Sequence, residues 1–486
     1  MNLIYPHSLS LMTDLYQLTM AYAFFKNGDL NKEAVFHLFF RKKPFNGGFT
    51  VAAGLEAAIT FIEKFKVDQS DIDYLRTLKS SNGTPYFDEA FLKYLSELKL
   101  DVTVDAVPEG TVVFPFEPLL RIQGSMIACQ LLESPLLNLI NFPTLIATKA
   151  ARLRIAAGDD TIMEFGLRRA QGIDGALTAA RSAYIGGCNS TSNVLAGKLY
   201  GIPVSGTHAH SWVMSFDDEL ESFMAYAKAM PDNAVFLVDT YDTLKGVQNA
   251  CEAGKYLKSI GKKLIGIRLD SGDLAYLSIE ARRILDQNGF KDAVIVASNE
   301  LDETILTELK RQGAQITVWG VGTSLVTSAN QPALDGVYKL SAIRDKGGEW
   351  KDKLKLSEQM VKISNPGLLQ VKRFMHGEGY QADCLYDIRR PLTNEPVIVD
   401  PFDPTRQKQM PSYMQGIDLL EPIIRNGKRV YDFPSLKSIR DKTEKELKRF
   451  HSAIKRFINP HQYVVGMDVD YYNRKVEQIR KIRNQK

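Results

Sequence analysis

The chain has 486 residues and a formal net charge of +4, with 44% hydrophobic and 24% charged residues, a composition typical of a globular protein with a large core. It contains no uncharged apolar run of about 18 residues, no basic signal-peptide region, and no cysteine spacing typical of zinc sites. We therefore expect a cytoplasmic protein with reduced thiols and no membrane segment.

The first part of the chain predicts mixed α and β structure. A helical apolar period covers residues 11–25, and strand-like runs cover residues 34–40, 49–53, 101–106 and 111–123. A long helix is predicted for residues 133–157. Together these elements indicate an N-terminal α/β domain over residues 1–130, joined by part of the polar stretch 345–430, where strands are predicted at 369–374 and 395–399.

Beyond this helix, short β-branched runs alternate with helical stretches in the rhythm of βα units. Near-continuous apolar strands of this kind suit a parallel sheet that is buried on both faces. We predict an irregular (β/α)8-type barrel over residues 131–345, with an open doubly wound sheet as the alternative. The predicted strands are 161–165, 182–186, 202–205, 234–238, 264–268, 293–297, 315–319 and 336–340.

The C-terminal stretch 431–486 is predicted to be a basic helical extension. From Ser435 onward it carries 14 Lys/Arg and 6 Asp/Glu, a net charge of +8. Such a tail can bind nucleic acid, but interleaved glutamates and apolar residues at helical spacing favour an amphipathic helix packed on the body. We expect no nucleic-acid partner.

Polar clusters follow most of the predicted parallel strands. Ligands of parallel α/β folds bind at the carboxyl ends of the strands, so these clusters predict a shared site. A loop that only connects two elements needs glycine or proline, so a connecting role does not explain polar residues after so many strands. The clusters are GLRR at 166–169, GTHAHS at 206–211, Asp239-Thr240, DSGD at 270–273, SNE at 298–300 and GVGTS at 320–324.

Several side chains in these clusters have two interpretations. Arg268 and Asp270 share one face of a strand, and they form either part of a phosphate site or a buried structural ion pair. Asp270 and Asp273 are also candidate Mg²⁺ ligands. His208 and His210 lack a third zinc ligand nearby, so each is either a catalytic group or a structural histidine.

Seven motifs in this order resemble those of nicotinate phosphoribosyltransferases and span about two-thirds of the chain. Each motif alone is weak, but the ordered set is specific. They are TDLYQ at 13–17, FRK at 40–42, EFGLRR at 164–169, GTHAHS at 206–211, RLDSGD at 268–273, SNE at 298–300 and GVGTS at 320–324.

The resemblance implies a homodimer with shared active sites that catalyses the first step of NAD salvage. Nicotinate and phosphoribosyl pyrophosphate would give nicotinate mononucleotide and pyrophosphate. Hydrolysis of ATP would be coupled to the reaction through phosphorylated His210, which makes the enzyme a ligase, and Mg²⁺ would accompany the phosphorylated substrates.

The resemblance also implies roles for individual residues. Phe165 and the partner subunit's Tyr16 would enclose the pyridine ring, and Arg168 would lie near the nicotinate carboxylate. Arg268 and Asp270 would act at the ribose and its phosphate, and Arg41 of the partner subunit would meet the pyrophosphate. The remaining phosphoribosyl-binding candidates are Thr207, Ser298, Asn299, Gly320, Gly322 and Thr323.

Four rival functions remain open. Nicotinamide phosphoribosyltransferases have an aspartate where ungapped matching places Asn193, and a neutral residue there favours the acid substrate. A quinolinate enzyme is less consistent with the chain length and the basic residues present. A phosphosugar aldolase or isomerase belongs to a different functional class, and so does a non-catalytic phosphosugar- or nucleotide-binding barrel. Turnover of pyrophosphate would distinguish these functions from a phosphoribosyltransferase.

Overall fold

The computed structural model describes residues 8–484 and divides into two compact units. The first unit combines the chain up to Leu145 with the chain from Ala333 onward, and the second is Ile146–Pro332. Over the described residues, no helix combines the length and apolarity needed to cross a membrane.

The N-terminal part of the first unit is mixed α and β, as the sequence predicts. Its strands are β1 Lys32–Phe40, β2 Thr50–Val51, β3 Thr103–Ala106, β4 Val112–Val113 and β5 Leu120–Ser125. Its helices are α1 Leu15–Lys26, α2 Leu55–Lys64, α3 Gln69–Thr77, α4 Glu89–Glu97, α5 Met126–Leu131 and α6 Glu133–Ala157, the last of which contains the unit boundary.

The second unit alternates strands and helices. Its strands are β6 Thr161–Glu164, β7 Ser190–Thr191, β8 Val235–Leu237, β9 Gly266–Leu269, β10 Val294–Ala297 and β11 Val318–Val321. Its helices are α7 Gly172–Gly186, α8 Val194–Tyr200, α9 His210–Met214, α10 Glu219–Ala229, α11 Thr243–Ser259, α12 Leu274–Gln287, α13 Glu303–Arg311 and α14 Thr323–Val326.

The C-terminal part of the first unit consists mainly of strands. These are β12 Gly336–Asp345, β13 Lys351–Asp352, β14 Leu369–His376, β15 Gly379–Asp387, β16 Val397–Val399, β17 Gln407–Gln409, β18 Gln415–Asp418, β19 Glu421–Arg425, β20 Lys428–Arg429 and β21 Val465–Asp468. The helices of the basic tail are α15 Leu436–Arg449 and α16 Val469–Asn484, and the tail's last two residues lie outside the described range.

Both ends of the chain build the sheets of the first unit. An antiparallel sheet has the order β13-β12-β1-β5-β3-β19-β20, and a mixed sheet has the order β17-β16-β21-β15-β14-β18. Strand β1 is buried from Ala34 to Phe40, because β5 and β12 flank it and apolar side chains cover both faces. Its partner β12 lies about 300 residues away along the chain.

The second unit contains an all-parallel sheet with the order β7-β6-β11-β10-β9-β8. In residues 8–484, no pairing joins β7 to β8, so the sheet is open and the predicted closed (β/α)8 barrel is not formed. The mixed α/β class is confirmed, and the parallel sheet is open between β7 and β8.

Three of the predicted parallel strands are wrong. Residues 182–186 end helix α7, whose preceding alanine-rich turns continue the helix until Gly187 adopts a φ of 119°. Residues 202–205 make only an isolated bridge, between Thr191 and Val204. Residues 336–340 begin β12, which pairs antiparallel with β1 in the first unit, a partner that local spacing does not reveal.

Candidate active site

The carboxyl ends of five neighbouring strands form one edge of the parallel sheet. Because the order β6-β11-β10-β9-β8 is consecutive, residues that follow these strands lie side by side. The structure therefore brings together groups from five separate segments of the second unit. They are Phe165 after β6, Gly322 after β11, Ser298 after β10, Asp270 after β9 and Asp239 after β8.

Arg268 lies at the centre of this edge. Its guanidinium donates from Nε to Ser298 Oγ at 2.8 Å, from Nη1 to Thr207 Oγ1 at 3.0 Å and from Nη2 to Asp270 Oδ1 at 3.0 Å. It also lies 5.8 Å from the centroid of the Phe165 ring. Three hydrogen bonds therefore hold the guanidinium plane in one orientation, as the recognition of a phosphate or carboxylate requires.

Asp270 is ionised at neutral pH. Burial alone would raise the pKa of Asp270, but the hydrogen bond that Ser298 Oγ donates to Oδ1 and the positive charge of Arg268 outweigh it and lower the pKa below its usual value. The carboxylate keeps 29% of its side-chain surface exposed. It can therefore place negative charge beside a bound molecule while Arg268 neutralises part of it.

His210 begins helix α9 and is 40% exposed. Its Nδ1 lies 3.1 Å from Thr240 Oγ1, and its Nε2 lies 3.7 Å from Asp270 Oδ2 and 4.0 Å from Asp239 Oδ1. The ring is thus oriented by Thr240, and its outer nitrogen faces the two carboxylates. This arrangement suits a histidine that takes part in chemistry at the strand edge.

Asp239 is a site residue that the sequence analysis placed at a strand end without a role. Its side chain is 1% exposed, and its Oδ2 accepts hydrogen bonds from the Asp270 N–H at 2.8 Å and from Ser271 Oγ at 2.7 Å. Its Oδ1 accepts no hydrogen bond within the described chain. The signal available in the sequence was the pair Asp239-Thr240, which directly follows the predicted strand 234–238.

His208 has a structural role. Its ring packs against Phe223 and Tyr226, and its Nε2 accepts a hydrogen bond from the Leu237 N–H at 3.3 Å. Burial lowers the pKa of His208 to about 4, so the ring is neutral at physiological pH. His208 and His210 thus have different roles in the structure, although the local sequence gives no reason to distinguish them.

Glycines make room for Phe165 at the sheet edge. A Cβ on Gly320 would lie 2.7 Å from Phe165 Cδ2, and a Cβ on Gly322 would lie 3.3 Å from the Phe165 carbonyl oxygen. Glu164 holds the turn that follows by accepting the Gly166 N–H. Arg168 lies beyond it on the exposed 3-10 turn Leu167–Arg169.

Two of the loops that are predicted to bind phosphate have unusual backbone conformations. Asn299 is exposed and has a φ of 107°, which is uncommon for a residue with a side chain. Gly322 has φ −114° and ψ −101°, and Thr323 begins the short helix α14 directly after it. Strained backbone of the kind found at Asn299 concentrates at binding sites.

Asn193 and Asp273 both cap helices. Asn193 is 3% exposed, and its Oδ1 accepts the Ala196 N–H at 3.1 Å, whereas its Nδ2 has no hydrogen-bond partner in residues 8–484. Asp273 accepts the Tyr276 N–H at 3.0 Å at the start of α12. Within the described residues, no group of three or more His, Cys, Asp or Glu side chains is placed to hold a metal.

Tyr16 and Arg41 belong to the first unit. Tyr16 lies on α1 and is 48% exposed. Arg41 directly follows β1, with its guanidinium 5.7 Å from the Phe39 ring centroid. The Nε of Arg41 is buried and has no hydrogen-bond partner in the part of the chain described, and burial lowers the pKa of this guanidinium.

Comparison with known proteins covers nearly the whole chain. Three family models match: the nicotinate phosphoribosyltransferase N-terminal domain at residues 11–141, the nicotinate phosphoribosyltransferase family at 161–358, and its C-terminal domain at 368–475. Nicotinate phosphoribosyltransferase from Bacillus subtilis is 41% identical over 98% of this chain and 96% of its own length. The human protein of that name is 35% identical over 94% of both chains.

A solved structure agrees with these sequence matches. The crystal structure of human nicotinic acid phosphoribosyltransferase superposes with a TM-score of 0.83 at 32% identity, covering 96% of this chain and all of that one.

Proposed function

The chain belongs to the nicotinate phosphoribosyltransferase family, and from this we propose that it transfers the phosphoribosyl group of phosphoribosyl pyrophosphate to nicotinate. The products are nicotinate mononucleotide and pyrophosphate, the first step of NAD salvage from nicotinate. The observation that supports this most directly is Arg268, held by Ser298, Thr207 and Asp270 at the edge where five strands end.

The reaction needs positioning and charge stabilisation rather than a protein nucleophile. The bond from ribose C1 to the pyrophosphate oxygen breaks while the pyridine nitrogen bonds to C1, so positive charge develops on the ribose. Arg268 binds the 5′-phosphate, together with the backbone at Asn299, Gly322 and Thr323. The ionised Asp270 stabilises the ribose charge.

The pyridine ring stacks on Phe165, and Tyr16 of the partner subunit covers its other face. Arg168 and Asn193 bind the nicotinate carboxylate, for which the unpartnered Nδ2 of Asn193 is a suitable donor. The partner subunit's Arg41 meets the pyrophosphate, so the working enzyme is a homodimer with shared sites. All four cysteines are buried and none of them forms a disulfide in residues 8–484, in keeping with a cytoplasmic location.

Mg²⁺ would accompany phosphoribosyl pyrophosphate and ATP and would supply neutralising charge at their phosphates. The side chains present fit a cation bound mainly by substrate oxygens. Oδ1 of Asp239, which accepts no hydrogen bond within residues 8–484, is a carboxylate oxygen that the protein could add. Asp273, also a candidate in the sequence, is engaged as a helix cap.

ATP hydrolysis is coupled through His210, which makes the enzyme an ATP-dependent ligase. With Nδ1–H donated to Thr240, the lone pair of Nε2 attacks the γ-phosphorus. The N–P bond forms, the bond from the γ-phosphorus to the bridging oxygen breaks, and ADP leaves with that oxygen. Asp270 and Asp239 face Nε2 and stabilise the positive charge that develops on the ring.

The test is product formation from phosphoribosyl pyrophosphate with nicotinate or nicotinamide, each with and without ATP. We expect turnover with nicotinate, stimulated by ATP in the wild type and unstimulated in His210→Ala. His376→Ala, which changes an exposed histidine of the first unit, keeps the stimulation. Stimulation that survives in His210→Ala contradicts the coupling.

Preference for nicotinamide would assign the chain to the alternative substrate and overturn the role given to Asn193. Failure of both substrates would favour a binding protein, for which intact Arg268 and Asp270 would then serve phosphosugar recognition alone.

A further inference from the structure

A cavity of about 60 Å³ lies in the first unit against helix α16. The rings of Phe116, Phe402 and Tyr472 and the side chain of Met360 form much of its wall. At roughly 10–15 Å³ for one water-sized group, the cavity has room for about four to six such groups, the size of an aldehyde with a short alkyl chain. None of these residues is among those proposed to bind nicotinate or the phosphoribosyl group. The cavity therefore has no part in the function proposed above.

Two polar side chains line this apolar cavity: Asn365 and Lys475. Lys475 Nζ donates a hydrogen bond to Asn365 Oδ1 at 2.6 Å, and no carboxylate of the described chain forms an ion pair with it. Asp468, beside the lining residue Met467, accepts the Tyr471 N–H instead. The amine is therefore fixed by a neutral amide in surroundings that stabilise a charge poorly.

These surroundings change the protonation of the amine. Burial lowers the pKa of Lys475 to about 8, and Tyr472 is the other titratable side chain in the wall. At pH 7.5 roughly a quarter of such amines are neutral, against about one in a thousand for an ordinary lysine. A neutral lysine in an apolar pocket is a nucleophile toward carbonyl carbon.

The cavity is open to small molecules. Met360 is 63% exposed and Phe402 is 49% exposed, so the apolar wall extends to the protein surface. An apolar molecule can enter along these side chains and reach the amine.

We propose that this cavity is a capture site for small apolar aldehydes, with Lys475 as the covalent attachment point. The Nζ lone pair attacks the aldehyde carbon, and a proton moves from nitrogen to the carbonyl oxygen to give a carbinolamine. Loss of that oxygen as water leaves a C=N bond, the imine. Asn365 holds Nζ in position, and the aromatic wall takes the body of the aldehyde and limits access of water to the imine.

The experiment labels the full-length protein with propanal in the presence of sodium cyanoborohydride, which reduces the imine to a stable amine. Peptide mass spectrometry then gives the labelling rate of each lysine from pH 6 to pH 10. The matched control is Lys481, an exposed lysine on the same helix. Glyceraldehyde, a polar aldehyde, is the control reagent.

We expect Lys475 to be labelled at least about tenfold faster than Lys481 at pH 7.5, with a pH midpoint near 8. Glyceraldehyde should show no such preference. The variant Phe402→Asp, which changes an exposed wall residue, should reduce propanal labelling at Lys475 and leave Lys481 unchanged. Equal labelling of the two lysines, or the same preference with glyceraldehyde, overturns the proposal.

Discussion

Single residues at the strand edge differ in role because of their partners. Arg268 is held by three side chains, and His210 is oriented by Thr240 but remains accessible. His208 instead packs against aromatic rings and accepts a backbone N–H, which makes it a neutral structural group. Residue type alone does not distinguish these histidines; burial and hydrogen bonding do.

The buried His208 predicts a pH dependence of stability. Its pKa falls from 6.5 to about 4 on folding, so the unfolded chain binds the additional proton between these values. The stabilisation is therefore fully present above pH 6.5 and is lost as the pH falls toward 4, by about 3 kcal/mol. We expect His208→Gln, whose amide oxygen can accept the Leu237 N–H, to lose about 3 kcal/mol less than the wild type over this range.

The measurement is the free energy of unfolding by urea at pH 6.5 and pH 4. His37, which is also buried with a lowered pKa, is unchanged in the variant, so part of the acid dependence persists. His461→Gln, at an exposed position, should behave as the wild type. Equal acid sensitivity of His208→Gln and wild type would refute the assignment.

At the scale of elements, aspartates fix the helix starts in the second unit. Helices α10, α11, α12 and α13 each begin after an aspartate whose side chain accepts a backbone N–H of the first turn. The last three of these caps follow strands β8, β9 and β10. The caps hold the loops that carry the candidate site.

The packing of β11 against the end of β6 predicts a specific kinetic effect. Gly320→Ala places a methyl group against the Phe165 ring and should displace it. We expect the KM for nicotinate to rise about tenfold, about 1.4 kcal/mol, with a smaller change in the KM for phosphoribosyl pyrophosphate. Steady-state kinetics with each substrate varied in turn measures both.

The matched control is Gly175→Ala in helix α7, where an added methyl group meets no atom within 4 Å. This variant should leave both KM values unchanged. A rise confined to the KM for phosphoribosyl pyrophosphate in Gly320→Ala would contradict the role given to Phe165.

At the scale of the whole molecule, the first unit depends on a buried charge cluster near its C-terminal helices. Arg373 on β14 is fully buried and donates to Asp383 on β15 at 2.6 Å and to Glu446 on α15 at 3.3 Å. Its guanidinium also lies over the rings of Tyr380 and Phe450. The cluster connects the basic tail to the mixed sheet, so the tail is part of this unit's core.

Arg373→Met should lower the free energy of unfolding by about 3–5 kcal/mol, because it leaves buried carboxylates without a counter-charge. Arg373→Met combined with Asp383→Leu should recover part of the loss. The comparison variant is Arg76→Met, which breaks an exposed ion pair with Glu89 and should leave the free energy of unfolding nearly unchanged. Chemical denaturation measures all three, and a cost below about 1 kcal/mol for Arg373→Met would be inconsistent with a structural role of the cluster.

Local sequence information is enough to predict five of the six strands of the parallel sheet, the family and the polar residues at the strand ends. These follow from local information: apolar periodicity locates β6 and β8 to β11, and the ordered motifs identify Arg268, Asp270 and His210 as candidates. The partner of β12, the open edge of the parallel sheet and the position of Asp239 beside His210 were decided only by the tertiary structure. The physical reason is that strand pairing and side-chain burial depend on hydrogen bonds and packing between segments far apart in the chain, which no local pattern records.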